Sequence, residues 1–103
     1  MKIDSLGDVI AERLLRCGKA EGRVQRVVIS LGRPLQFPDS QDFFCPYQIV
    51  GIGDEKVRYA GGVDSLQAIQ LAIDLIAAEL SSAEEDLSWE AGEVVGDLGF
   101  SKL

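Results

Sequence analysis

From Asp64 to Ser81 the chain reads as a helix that is apolar around most of its circumference, and this constrains what the rest of the sequence must supply. Asp64 is a good N-cap, and Gln67, three residues on, has the spacing of a capping box. Leu66, Ile69, Ile73, Ile76 and Leu80 recur at spacings of three and four, a stripe suited to packing on a sheet. Leu71, Leu75 and Ala78 make a second stripe to the side, and Gln67, Gln70 and Asp74 leave only a narrow polar strip. A helix over 64–81 spans about 27 Å. One that lies on a sheet with its back in water needs polar residues over about half its surface. This one is therefore expected to have a second cover, from residues 82–103 or from another chain.

The sheet is expected upstream. Residues 23–33 alternate, with Val27, Ile29 and Leu31 on one face, and are rich in β-branched side chains. Residues 9–17 fit either a strand or a helix. The strand is preferred because Gly18–Gly22 has the composition of a hairpin turn into the next run. Its inner face would hold Val9, Ala11, Leu15 and Cys17, with Arg13 the exception. Residues 34–42 read as a loop with two prolines. Residues 43–52 form a strand with Phe43, Cys45, Tyr47 and Ile49 on one face, and Pro46 implies an edge or a bulge. A short fourth strand, Lys56–Ala60, places Val57 and Tyr59 together before Gly61-Gly62 breaks it. The expected class is α+β: a single domain with an antiparallel β-meander of about four strands over 8–60 and one long helix over 64–81 packed on one face. An acidic, loop-like C-terminal segment, 82–103, completes it. Leu87, Trp89, Val94, Val95, Leu98, Phe100 and Leu103 are dispersed there among acids, able to fold back over the second stripe.

Composition narrows the function classes. The 103 residues suit one domain, and 47% apolar with 26% charged residues is a globular balance. No run is long and apolar enough for a membrane span, and the first residues lack a secretory core, so a cytoplasmic protein is expected. Cys17 and Cys45 are then expected as free, buried thiols. The chain has no histidine, which removes Ser-His and Cys-His catalysis and the commonest zinc ligand. Its net charge is −7, unevenly spread: residues 59–103 hold nine acids and one base, Lys102. Residues 1–33 hold seven bases and four acids. This distribution disfavours nucleic acid and permits a basic protein partner.

Individual motifs carry little chemistry. Gly61-Gly62-Val63-Asp64-Ser65 opens a helix but lacks the lysine of a phosphate loop, and Asp64 sits where an anion would bind. A turn plus a cap explains it. Cys45 has no local cation to lower its pKa. Asp39, Asp42 and Asp54 lack the spacing of a calcium loop, and no metal or cofactor is expected. The run Glu84-Glu85-Asp86 reads as a solvated face, and Trp89 suits either a binding hot spot or a loop pinned to the core. Arg13 on an inner face needs a partner such as Asp64 or Asp74, or else faces a ligand.

The run Cys45-Pro46-Tyr47-Gln48-Ile49, then Gly51, then Gly62-Val63-Asp64-Ser65-Leu66-Gln67-Ala68, resembles a group of small bacterial proteins of unknown function. The similarity covers residues 9–81 and extends to Leu98-Gly99-Phe100. It implies a bacterial origin and a strand at 9–17, and brings no catalytic residues with it.

Three functions fit these readings. The preferred one is a non-enzymatic acidic module that binds another protein, as an immunity-type inhibitor masks a basic toxin or effector. Its contact residues would be Glu84, Glu85, Asp86, Trp89 and Glu90. The second is a small-ligand protein or enzyme with a pocket between sheet and helix, near Arg13, Tyr47, Tyr59 and Asp64. The third is a structural homo-oligomer, such as a homodimer, built through the second stripe of the helix.

Overall fold

The alternating segments pair into one antiparallel sheet in the computed structural model, which describes residues 3–18, 22–83 and 86–89. The strands are β1 (Val9–Gly18), β2 (Val24–Gly32), β3 (Leu35–Gln36), β4 (Phe43–Val50), β5 (Arg58–Gly62) and β6 (Asp86–Trp89), with helix α1 (Ser65–Ser82) between the last two. β1, β2, β4 and β5 are spatial neighbours in chain order, as a meander requires. The helix packs on one face, over β4 and β5. Among the described residues no helix is long and apolar enough to cross a membrane.

Alternation decides which side chains meet the helix. Leu15 and Cys17 of β1, Val27, Ile29 and Leu31 of β2, Cys45, Tyr47 and Ile49 of β4, and Ala60 of β5 share the inner face and are buried. Phe44 points the other way, where it meets Phe37 and Tyr59 at centroid distances of 5.1 and 5.7 Å. β4 is apolar on both sides for that reason.

Two short strands lie in segments whose sequence reads as loop. β3 continues β2 past Pro34 along the same edge of β4. Leu31 faces Tyr47 and Leu35 faces Phe44, so four steps on one strand match three on the other. This one-residue bulge lies beside Pro46, which therefore sits in an interior strand at a bulge and not at an edge. β6 pairs with β1, from Leu15↔Trp89 to Gly18↔Asp86. Leu87 is opposite Cys17 and buried, so the acidic segment contributes to the core. Residues 94–103, with the other dispersed apolar side chains, lie outside the described residues, as do residues 19–21 of the hairpin turn.

The register differs from expectation at two strand ends. A bulge between Val9 and Ala11 shifts the start of β1, and both residues are exposed, not core. β5 begins at Arg58, so Val57 lies before it, and Gly61 and Gly62 extend the strand opposite Phe44 and Phe43.

The helix is also rotated relative to the expected stripe. Ala68, Ala72, Ile76 and Leu80 face the sheet, with Ile69 partly buried. Leu66 is 63% and Ile73 36% exposed, so neither belongs to the packed face. The cause is a close backbone approach. A Cβ on Gly62 would lie 2.5 Å from the Ala68 nitrogen and 3.0 Å from its Cα. Only small residues fit such a seat, and α1 offers its alanines. The start of the helix is fixed as well: Asp64 Oδ1 accepts from the Gln67 N–H at 2.7 Å, and Gln67 Oε1 accepts from the Val63 N–H at 2.8 Å.

Gly62→Ala is expected to destabilise the fold by about 2 kcal/mol, the range of an overpacked contact. Urea unfolding measures it, and a change within about 0.5 kcal/mol would mean that the helix moves away freely.

Candidate functional site

Where the end of α1 passes over β4 and β5, four polar side chains from different parts of the chain meet. Tyr47 of β4 and Arg58 of β5 are cross-strand partners on the inner face. Glu79 reaches them from α1, and Asp54 from the loop between the strands. The Arg58 guanidinium donates to both Asp54 oxygens, at 2.8 and 2.7 Å, a forked pair with well-defined geometry. Its Nε lies 3.4 Å from Glu79 Oε1. The Tyr47 hydroxyl, 3% exposed as a residue, donates to the Glu79 carboxylate.

The loop is built to hold Asp54 there. Gly51 has φ +113°, and a Cβ on it would lie 2.3 Å from the Arg26 carbonyl oxygen, so the turn needs glycine. Glu55 carries φ +61°, and its carboxylate accepts from the Gly51 N–H at 2.7 Å. Gln48 donates to the Glu55 carbonyl at 2.8 Å, and the Lys56 N–H donates to Asp54 at 3.0 Å. Beside this network lies an open cleft of about 410 Å³, bordered by Ile49, Ile52, Asp54, Glu55, Arg58 and Glu79.

Electrostatics follow from the contacts. Hydrogen bonds from Arg58, then from the Lys56 N–H, hold the Asp54 carboxyl well below the usual range. The same pairing with Asp54 pushes Arg58 up. Burial, then the Glu79 charge, raises the Tyr47 hydroxyl to about 12, although Arg58 works against the shift. Tyr47 is thus a neutral donor near pH 7 and a poor general acid. Away from the network, Cys45 is pushed to about 11 by burial, and its Sγ lies 3.4 Å from the Gly32 carbonyl oxygen. Cys17 and Cys45 are free and buried. Among the described residues no three His, Cys, Asp or Glu side chains are grouped to hold a metal ion.

Of the four pocket candidates, Tyr47 and Tyr59 border one open cleft of about 760 Å³ at the sheet margin, and Arg13 and Asp64 lie outside it. Tyr47 and Tyr59 project from opposite faces of the sheet, Tyr47 toward Glu79 and Tyr59 into the aromatic cluster with Phe37 and Phe44. Asp64 spends its carboxylate on the helix cap. Arg13 is half-buried on β1 across from Ile29, on the inner face, and is engaged. Of the contact candidates, Glu84, Glu85 and Glu90 lie outside the described residues, and Asp86 and Trp89 are the ends of β6. Sequence reasoning missed Arg58 and Glu79, and weighed Asp54 only as a metal ligand. One signal was present: Arg58 shares parity with Ala60, so the strand could have been phased on Ala60 in place of Val57 and Tyr59.

Two pH effects are expected. Folding holds the Tyr47 proton more tightly than the unfolded chain does, where tyrosine titrates near 10. Its contribution is whole below pH 10 and lost as pH rises through about 12. In a Tyr59→Phe background the tyrosinate absorbance should appear near pH 12, and Glu79→Gln should move that midpoint down. Folding favours ionised Asp54, so its contribution is whole above the ordinary carboxylate range and lost as pH falls below it. Asp54→Asn should therefore cost stability at pH 7, and less at pH 2, in paired denaturation curves.

Among curated proteins and solved structures nothing matches the chain. The family model described as "Domain of unknown function (DUF6968)" matches residues 11–102, and the chain belongs to that family.

Proposed function

We propose that the chain is a non-enzymatic, acidic protein-binding module of the bacterial cytoplasm, of the immunity type, which masks a basic toxin or effector. The observation that carries this reading is the charge on the helix side of the molecule. Asp74 and Glu79 are the charged residues of α1, with no lysine or arginine among its 18 residues. Asp54, Glu55 and Asp64 are exposed around it, with Lys56 and Arg58 the bases beside them, and the sequence adds Glu84, Glu85, Asp86 and Glu90 after it. Such a surface steers a basic partner and repels nucleic acid.

The internal network supports the same reading over the small-ligand one. Asp54, Arg58, Glu79 and Tyr47 answer one another, so the cluster bordering the cleft presents no activated nucleophile or base. Of the four residues of the alternative pocket, Arg13 and Asp64 lie outside the cleft that Tyr47 and Tyr59 border.

Affinity capture at low and high salt, followed by calorimetry on the purified partner, tests the proposal. The partner is expected to be basic, and its affinity to fall with salt. Replacing Glu84, Glu85, Asp86 and Glu90 by serine should weaken binding at least tenfold and flatten the salt dependence. Unchanged affinity with unchanged salt dependence rejects the electrostatic reading.

A further inference from the structure

The cleft bordered by Tyr47 and Tyr59, about 760 Å³ in volume, opens at the margin of the sheet where β5 begins. Its size is that of a small-molecule site, and both of its walls are held. One wall is the N-terminal segment, which brings Ile3 and Asp4 to the cleft. That segment is tied to the sheet. The Arg33 N–H donates to the Asp8 carbonyl at 2.7 Å, and Leu6 lies so close over Gly32 that a side chain there would strike its carbonyl oxygen. The other wall is the β4–β5 hairpin, with Glu55, Lys56, Val57 and Arg58. Its loop is fixed by the fork between Arg58 and Asp54 and by the bond from Gln48 to the Glu55 carbonyl.

Four charged side chains border the cleft, and two of them are answered within the protein. Arg58 is held by Asp54 and Glu79, and Glu55 accepts from the Gly51 N–H. Asp4 and Lys56 remain, one acid and one base on different walls. Both are exposed, and among the described residues neither is in an ion pair. Lys56 has Asp54 as a charged neighbour, but Arg58 takes both oxygens of that carboxylate. Ile3, Val57 and Tyr59 are half-buried and give the cleft an apolar lining. Gln48 spends its Nε2 on the Glu55 carbonyl and keeps its amide oxygen for a donor.

The unanswered charges select the ligand's chemistry. A plain anion would meet Asp4 and Glu55, and a plain cation would meet Lys56 and Arg58. A molecule with an ammonium, a carboxylate and an apolar body answers both walls. We propose that this cleft binds a small zwitterion, an apolar amino acid or a short apolar peptide, with its ammonium on Asp4 and its carboxylate on Lys56. The site is one of recognition without chemistry. It uses none of the residues exchanged in the salt-dependence test above, so it stands or falls apart from the protein-binding reading.

The probes are leucine, phenylalanine and the dipeptide leucyl-leucine, each beside its N-acetyl and its C-terminal amide form, in amide NMR titrations. The zwitterions should bind with millimolar or tighter affinity and shift the amides of residues 3–8 and 47–59. Removing either ligand charge should weaken binding severalfold. Asp4→Asn should weaken the zwitterion severalfold and leave the N-acetyl form unchanged. Lys56→Met should weaken the zwitterion severalfold and leave the amide form unchanged. Val24→Ser, on the exposed far hairpin, should have no effect. Circular dichroism checks that each variant is folded, and the blocked ligands on the unaltered protein read the same two contacts if a variant is not. Tighter binding of the dipeptide identifies the ligand as a peptide, and tighter binding of the amino acids identifies it as a free amino acid. No shift in these residues at tens of millimolar ligand overturns the proposal. So does binding that both variants leave unchanged, binding that survives acetylation and amidation alike, or shifts confined to other elements.

Discussion

The seat of α1 on β5 is the contact on which the remaining architecture depends. The helix backbone at Ala68 comes so near Gly62 that no side chain fits between them. That proximity selects the inward stripe, Ala68, Ala72, Ile76 and Leu80, a residue at every fourth position. The cap formed by Asp64 and Gln67 holds the first turn directly after β5, so the helix has little freedom to roll. Its rotation is therefore settled within a few residues of its start. Everything farther along, including the placement of Glu79 over Tyr47 and Arg58, follows from that angle.

At the other end of α1 the anchor is polar. Glu79 joins the hydroxyl of Tyr47 to the guanidinium of Arg58, and Arg58 in turn holds the loop through Asp54. Exposed ion pairs contribute little to stability one at a time. Here the forked geometry and the shared arginine serve orientation: they tie a turn containing Gly51 and Glu55, both at positive φ, to the helix. The two anchors differ in chemistry but share a consequence. The helix is fixed at both ends.

Much of this was legible in the sequence. The β-branched run around Val27, Ile29 and Leu31, the parity of Cys45, Tyr47 and Ile49, and the Asp64 cap each depend on local pattern, and the structure has them as read. The failures share a cause. Choosing between the Leu66 and Ala68 stripes needs the distance from helix to sheet, which Gly62 sets from another element. Phasing β5 needs to know that Gly61 and Gly62 still pair, although two glycines read as a break. β6 was hidden because Leu87 and Trp89 stand among acids, and their pairing with β1 is non-local. The network was hidden for the same reason: Asp54 and Arg58 are neighbours in the chain, but Tyr47 and Glu79 join them only once the helix is seated.

The large residues on the outer face of α1 need a separate account. Leu71, Ile73 and Leu75 lie on the flanks of the helix at 40%, 36% and 43% exposure, so each gains only partial packing. Helix propensity does not call for them either, since alanine, glutamate, lysine and glutamine serve as well, and β-branched Ile73 serves worse. Solubility argues against them, because each leaves aliphatic area in water at about 25 cal/mol per Å². Of the second stripe, Leu71 and Leu75 are exposed. The two exposed pairs, Leu66 with Ile73 and Leu71 with Leu75, lie on opposite sides of the polar strip of Gln67, Gln70 and Asp74, so α1 has two narrow apolar borders in place of one broad apolar face.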